Sequence, residues 1–395
     1  MNSKILQLYL RFWAKKYLDR TRPKIIAITG SVGKTSTKEA VFAVLKQKYN
    51  NEVAKSTGNL NTETGVPLAI LGFEKSPTKF YEWLPILLTA PFLSQTRKSY
   101  KIMVLEMAAD KPGDIKYLTS IAKPDIAIIT AIGPSHLAAF GQISRIVEEK
   151  ISLLWALPSD GVAILNLDDD NVRKASYGGR WAKLTYGIDQ EADFIANGIS
   201  TTFKKGLPET KFKVKGKINL SITTQMLGGR AQVYAALAAV AVGENLGLSV
   251  EEVETGLARL LPEKHRMEIF AGKNDTTIID DSYNASPLSI RNSLAVLKCL
   301  NSKGRKIAVL GDMRELGPIT DEAHQSIGRE AAQIADQVVA VGDLARKYNG
   351  QKYFKNKDKA IVFLLKEARP GDIILIKASR AISLDKIADA LRETN

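Results

Sequence analysis

The stretch Thr29-Gly30-Ser31-Val32-Gly33-Lys34-Thr35 carries the most specific chemistry in the chain. It follows a β-branched apolar run and opens a helical pattern, so its backbone N–H groups and the helix N-terminus converge on an anion such as phosphate. Gly30, Ser31, Val32 and Gly33 form the cradle, Lys34 reaches the outer phosphates, and the Thr35 hydroxyl suits Mg²⁺. The general phosphate-loop pattern has glycine where Ile28 stands, and an ordinary glycine-rich turn is the competing reading. Glu106 closes a second apolar run, where a hard carboxylate oxygen suits the same ion; a structural ion pair is the alternative there. His136 follows a Gly-Pro turn, and the residues alone do not choose between a metal ligand and a hydrogen-bonded loop histidine. Lys150, beside Glu148 and Glu149, by itself reads as part of a solvated helix face.

These residues need rigid elements to hold them. After Pro23, apolar β-branched runs alternate with helical segments, which predicts strands at Ile25–Thr29, Ile102–Glu106, Ile126–Thr130 and Val162–Asn166 in a mostly parallel sheet. From Lys183 to Gln225 short alternating strands predict an antiparallel appendage, followed by an Ala-rich helix over Gly229–Leu246. Ser249 and Glu252 form a capping box for one more helix, which ends near Leu261-Pro262. Beyond it, strands at Thr277–Asp281, Ile307–Leu310, Gln337–Val341 and Ile373–Lys377 alternate with helices as in a small doubly wound domain. The expected fold is therefore α/β: a central phosphate-loop domain over 23–262 and a Rossmann-like domain over 263–395. A basic amphipathic helix over 1–22 precedes them.

That helix carries Lys4, Arg11, Lys15 and Arg22 on one face and Leu6, Leu10, Trp13 and Tyr17 on another. It reads either as a helix packed on its own protein or as a contact with an anionic membrane surface. The apolar stretch Phe80–Leu93, broken by Pro85 and Pro91, reads as buried helix or as a second greasy surface. No run approaches the roughly 20 apolar residues a spanning helix needs, so the expected location is the cytoplasm, with the inner face of the membrane as its refinement. The single cysteine, Cys299, cannot form an internal disulfide and reads as a buried structural thiol. A net charge of +14 over 395 residues calls for anionic partners without choosing among them. A monomer without nucleic acid is the expectation.

Several further stretches, in order along the chain, resemble the Mur ligase family of cell-wall synthesis, most closely its D-alanyl-D-alanine-adding branch. They are Gly58-Asn59-Leu60-Asn61-Thr62-Glu63-Thr64-Gly65, Leu105-Glu106-Met107 and His136-Leu137-Ala138-Ala139-Phe140-Gly141. Asp280-Asp281-Ser282-Tyr283-Asn284-Ala285, Leu310-Gly311-Asp312-Met313-Arg314-Glu315 and Lys377-Ala378-Ser379-Arg380 complete the set.

The resemblance implies ATP, two Mg²⁺ ions with His136 on the second, and an N-carbamylated Lys150 that helps hold it. It also implies Arg266 on the γ-phosphate, Asp281 on the ribose, Tyr283 and Asn284 beside the nucleotide, and Asn59, Asn61, Thr62, Lys377, Ser379 and Arg380 on the substrate side. Ala378 stands where the family has glycine. Where the family's adenine-side helix begins with His-Asn, this chain reads Gly229-Arg230-Ala231-Gln232, and Gln232 is the substitute contact. A complete member of the branch has an N-terminal domain for the UDP-sugar end of its substrate, whereas about 23 residues precede the phosphate-loop strand here. The implied reaction activates a carboxylate as an acyl phosphate and joins D-alanyl-D-alanine to a muramoyl-tripeptide peptidoglycan precursor. A folylpolyglutamate- or poly-glutamate-type ligase, a non-ligase phosphate-loop NTPase and a Mur-like scaffold are the alternatives.

Overall fold

Residue alternation in the first strand feeds two cores at once, and the fold follows from that. The computed structural model describes residues 3–96, 99–175, 178–204, 207–226 and 229–393. Its first part runs α1 (Ser3–Thr21), β1 (Lys24–Thr29), α2 (Lys34–Tyr49), β2 (Val53–Lys55), α3 (Gly65–Ile70) and α4 (Trp83–Leu93). Then come β3 (Ile102–Glu106), α5 (Asp114–Ile121), β4 (Ile126–Ile129), α6 (Leu137–Phe140), α7 (Ile143–Trp155), β5 (Val162–Asn166) and α8 (Asp170–Ala175). β6 (Ala182–Gly187), β7 (Phe194–Lys204), β8 (Leu207–Gly216), β9 (Leu220–Thr224), α9 (Arg230–Asn245) and α10 (Val250–Ala258) complete it.

The strands form one sheet in the order β2-β3-β1-β4-β5-β6-β7-β8-β9. Ile26 and Ile28 face a core shared with α2, α9 and α10, while Ile25 and Ala27 face a core shared with α1, α3, α5 and α7. A strand covered on both faces reads as a continuous apolar run, which is why β1, β3 and β5 were legible. The expected antiparallel appendage is shorter than its sequence span: β6 pairs parallel with β5, and β7 parallel with β6. Only β7, β8 and β9 are antiparallel, and they extend the same sheet.

The second part builds β10 (Glu268–Gly272), β11 (Thr276–Asp280), α11 (Pro287–Cys299), β12 (Lys306–Gly311), α12 (Thr320–Ala332), β13 (Gln337–Val341), β14 (Lys352–Phe354), α13 (Lys357–Glu367), β15 (Ile373–Lys377) and α14 (Asp385–Leu391). Its sheet order is β10-β11-β15-β12-β13-β14, with β10 the antiparallel edge. The Ser249–Glu252 capping box forms as the sequence requires. Cys299 does not: it is exposed. Ile290, Leu294 and Leu297 turn the inner stripe of α11 to the core and leave residue 299 on the solvent side.

α1 packs on the first part through Leu10, Ala14 and Tyr17, all buried. Leu10 joins Leu60, Leu68 and Ile86 in a small cluster that ties α1 to α3, α4 and the loop before α3. Ile5, Leu8 and Phe12 of the same helix remain exposed. Leu10→Ala should therefore cost about 2–5 kcal/mol, whereas Leu8→Ala should stay within about 0.5 kcal/mol. Urea denaturation of the two variants reads the difference.

Candidate active site

The C-terminal ends of β1, β3 and β4 open into a common cleft, the position where parallel sheets bind ligands. At the end of β1 the loop turns through Gly30 (φ 149°) and Gly33 (φ 88°) into α2. A Cβ on Gly30 would lie 2.0 Å from Thr130 Oγ1, so only glycine fits there. The first-turn N–H groups of α2 have no intrahelical acceptor and face the loop. Ser31 departs from the expected cradle. Its N–H donates to the Ala131 carbonyl at 2.6 Å and its hydroxyl to the Gly133 carbonyl at 2.8 Å, so it anchors the loop to the segment after β4. Lys34 Nζ donates to the Gly30 carbonyl at 2.8 Å, across the loop.

Glu106, at the end of β3, is buried beside this loop. Its Oε2 accepts from the Thr35 hydroxyl at 2.9 Å and its Oε1 from Asn61 Nδ2 at 2.8 Å. Burial opposes the charged carboxylate, but Lys34, Lys38 and Arg266, with the Asn61 hydrogen bond, outweigh it and hold its pKa below the ordinary value. Burial in turn depresses the Lys34 pKa; Glu106 pushes back and Arg266 adds to the depression. Lys38, one helical turn beyond Lys34, is fully buried, with Nζ 4.0 Å from Glu106 and 3.9 Å from Glu263. Four cationic and anionic groups thus converge on the site that Thr35 and Glu106 define.

His136 sits at φ 52° before α6. Its Nδ1 lies 2.6 Å from Glu315 Oε2 of the second part, and its Nε2 lies 3.4 Å from Asp110 Oδ1. The Ala138 N–H also donates to the Glu315 carbonyl at 3.1 Å, so the two parts meet at this histidine. Lys150, on α7, is not on a solvated face: it is 2% exposed. Burial drives its pKa down to about 7, with Lys34 adding to the effect and Asp110 and Glu149 opposing it.

From the second part, Arg266 stacks 3.7 Å above the Tyr283 ring and Arg380 lies 5.0 Å from the same ring. Asp281 Oδ2 accepts from Lys377 Nζ at 2.5 Å and from the Ser293 hydroxyl at 2.6 Å. Lys377 also donates to the Asn284 carbonyl at 3.0 Å and is 3% exposed, so it pins the Asp281–Asn284 turn. Ser379 Oγ accepts from the Arg314 N–H at 2.9 Å. Buried Ala378 packs where a Cβ on Gly311 would come within 2.5 Å of its own Cβ. The cleft, about 710 Å³, is lined by the phosphate loop, Asn59, Asn61, Thr62, His136, Gln232, Arg266, Asp281, Tyr283, Asn284 and Arg380. The structure thus brings together residues separated by most of the chain.

The Mur ligase middle domain matches residues 28–243, and the Mur ligase glutamate ligase domain matches residues 265–380. This chain belongs to the Mur ligase family. It is 32% identical to the UDP-N-acetylmuramoyl-tripeptide–D-alanyl-D-alanine ligase of Bacillus subtilis (strain 168) over 394 residues, spanning 96% of this chain and 78% of that protein. The Escherichia coli (strain K12) enzyme of the same name is 28% identical over 380 residues, covering 94% of this chain and 77% of that one. MurF from Thermotoga maritima, solved in complex with ADP, superposes with a TM-score of 0.81 at 29% identity, covering 96% of this chain and 82% of that one.

A second cavity in this Mur ligase, about 190 Å³, lies against Gly33 and Thr130 and is lined by Asn166, Asp168, Arg230, Tyr234 and Asn292 among others. Gln232 lines the main cleft instead, and its neighbours Arg230 and Tyr234 face the second cavity. Asp168 accepts from the Tyr234 hydroxyl at 2.7 Å, from Arg230 Nη2 at 3.2 Å and from the Gln190 N–H at 2.8 Å. Sequence reasoning missed Asp168, Asp110, Lys38 and Glu315. The signal for Asp168 was its place just past β5, where polar residues after a parallel strand face the ligand crevice.

The buried Lys150 gives a pH signature. Its pKa is about 7 when folded and returns toward the ordinary 10.5 on unfolding, so the unfolded chain binds the extra proton between those values. Stability should rise as pH climbs through that window, by at most about 1.4 kcal/mol per pH unit. Urea midpoints at pH 7 and pH 9 in CO2-free buffer should show this rise in the natural chain and lose it in Lys150→Met.

Proposed function

We propose that this chain is an ATP-dependent ligase that activates a muramoyl-tripeptide carboxylate as an acyl phosphate and joins it to D-alanyl-D-alanine. The observation that carries the reading is the single cleft into which the phosphate loop, the Thr35–Glu106 pair and Arg266 all open. The names of the relatives supply the substrates; the geometry supplies the phosphoryl chemistry.

The nucleotide phosphates lie along the loop, with the nucleoside directed to the cavity at Asp168, Arg230 and Tyr234. Lys34 exchanges its bond to the Gly30 carbonyl for the outer phosphates. The donor set fits Mg²⁺: a hydroxyl and an ionised carboxylate in direct contact at Thr35 and Glu106, both hard oxygen ligands. Mg²⁺ held there supplies charge compensation at the transferring phosphoryl group. For a second ion the candidates are His136 and Lys150, the latter only as a carbamate. A lysine with a pKa of about 7 carries a large fraction of free amine at neutral pH. That neutral amine attacks CO2, forms an N–C bond and releases a proton, so a buried neutral group becomes an anion.

The acceptor carboxylate attacks the γ-phosphorus and ADP leaves. The amine of D-alanyl-D-alanine then attacks the acyl carbon, phosphate departs and the amine loses a proton. Arg266, anchored on Tyr283 at the junction of the two parts, offsets charge on the transferring group. Asn59, Asn61, Thr62, Lys377, Ser379 and Arg380 line the same cleft on the substrate side, and Lys377 and Ser379 also hold the Asp281–Asn284 turn and the Arg314 loop.

ADP release measured with the muramoyl-tripeptide acceptor, with D-alanyl-D-alanine, with both and with neither tests the reading. Release that needs both substrates supports the ligase; release indifferent to both would mean a plain NTPase. Lys34→Ala should lower the coupled rate by at least about a hundredfold while circular dichroism stays unchanged. Lys150→Ala should lose activity that bicarbonate does not restore and that small carboxylates partly rescue; full activity without rescue would remove the carbamate.

A further inference from the structure

α1 and α4 lie side by side. The Tyr9 hydroxyl donates to the Leu87 carbonyl at 2.6 Å, and Arg20 donates to the Ser94 and Thr96 carbonyls at 3.1 and 2.6 Å, so the two helices run in the same direction. Each buries one stripe and exposes another that is equally apolar. On α1, Leu10, Ala14 and Tyr17 face inward while Ile5, Leu8 and Phe12 are 57–60% exposed. On α4, Ile86 and Ala90 face inward while Leu84, Leu88 and Phe92 are 61–74% exposed. Spacings of three or four residues put each exposed set on one helix face. Elsewhere among the described residues, large exposed apolar side chains such as Trp155, Leu261 and Val362 are scattered singly along the chain. A contiguous patch of this kind marks an interaction surface.

We infer that the paired outer faces of α1 and α4 form a docking surface for an anionic lipid bilayer, which α1 and α4 enter side-on. This goes beyond the ligase reading and does not depend on it. The occupant is argued from charge and shape. Lys4, Lys16, Arg20 and Lys79 are exposed on or beside these helices, and Arg20 bridges α1 to the end of α4. Lys79 sits 5.6 Å from the ring of Tyr81, which is exposed beside α4, a pairing of basic head and aromatic ring suited to the level where an interface changes from acyl chain to headgroup. Asp19, Glu74 and Glu82 are the acids nearby, outnumbered by the basic residues. No helix of the described residues is long and apolar enough to cross a membrane, so side-on insertion is the available mode. Below the patch, Leu60 packs in the cluster formed by Leu10 and Ile86, and its neighbours Asn59 and Asn61 line the cleft. The substrate side of the cleft is thereby set on the lipid-facing layer.

The test is flotation of the full chain with vesicles of phosphatidylcholine alone or with about one-third phosphatidylglycerol, at low and physiological salt. Binding should require the anionic lipid and weaken with salt. Leu8→Glu/Leu88→Glu should abolish it with the urea midpoint unchanged. Lys16→Glu and Lys79→Glu should each weaken it by about fivefold or more. Failure to float with anionic vesicles overturns the inference, as does binding that survives the double variant. Light scattering closes the other route: a dimer in lipid-free buffer that Leu8→Glu/Leu88→Glu splits would make the patch a contact between copies and sink the membrane assignment.

Discussion

Glu106 is a carboxylate taken out of water at the end of a central strand, and a buried charge of that kind stands only when hydrogen bonds and opposite charge replace the lost hydration. Burial alone would neutralise it; Thr35, Asn61, Lys34, Lys38 and Arg266 keep it ionised. Those partners come from three pieces of chain: the start of α2, the loop before α3 and the junction with the second part. A hydrogen bond to a charged group contributes roughly 1.5–3 kcal/mol, so the carboxylate has a large hand in fixing how these segments sit relative to one another. The same negative charge is what a cation-assisted phosphoryl transfer requires.

The sheet supplies the rigidity for this arrangement. Parallel strands covered by helices on both faces cannot slip by a residue without exposing their whole apolar set. The ends of β1, β3 and β4 therefore hold Gly30, Glu106 and Thr130 in fixed register. Gly30 can approach Thr130 closely because it has no Cβ. The second part then adds its guanidinium groups from the opposite side, with the His136–Glu315 contact joining the two.

Local signals were legible in the sequence wherever one segment carries the whole pattern. The phosphate loop, Glu106 at a strand end and the Ser249–Glu252 cap belong to that class, as do the doubly buried strands. What stayed hidden was made by tertiary contact. Asn61 was placed beside the substrate, and it lines that cleft while also donating its amide to Glu106, a contact that no local pattern announces. Lys150 looked solvated beside two glutamates, but α7 turns it inward while Glu149 accepts from the Gly113 and Ile115 N–H groups. Lys377 lines the cleft, and its further role as a buried pin on Asp281 and Asn284 is made by tertiary contact. The helix α1 defeated a one-stripe reading because it has two apolar stripes, and only the inner one, at Leu10 and Tyr17, was recognised. Cys299 fell on the wrong face because the inner stripe of α11 ends before it.

The small cluster of Leu10, Leu60, Leu68 and Ile86 has an evolutionary consequence. Residues in contact respond to substitution non-additively, and here the contacting set spans α1, α4 and the loop that carries Asn59 and Asn61. A change that enlarges or shrinks Leu10 alters the selective value of changes at Ile86 and Leu60, and through Asn61 it reaches Glu106. The outer helices and the reaction centre therefore drift together, so a swap of α1 between related chains is tolerated only when the matching α4 and loop travel with it.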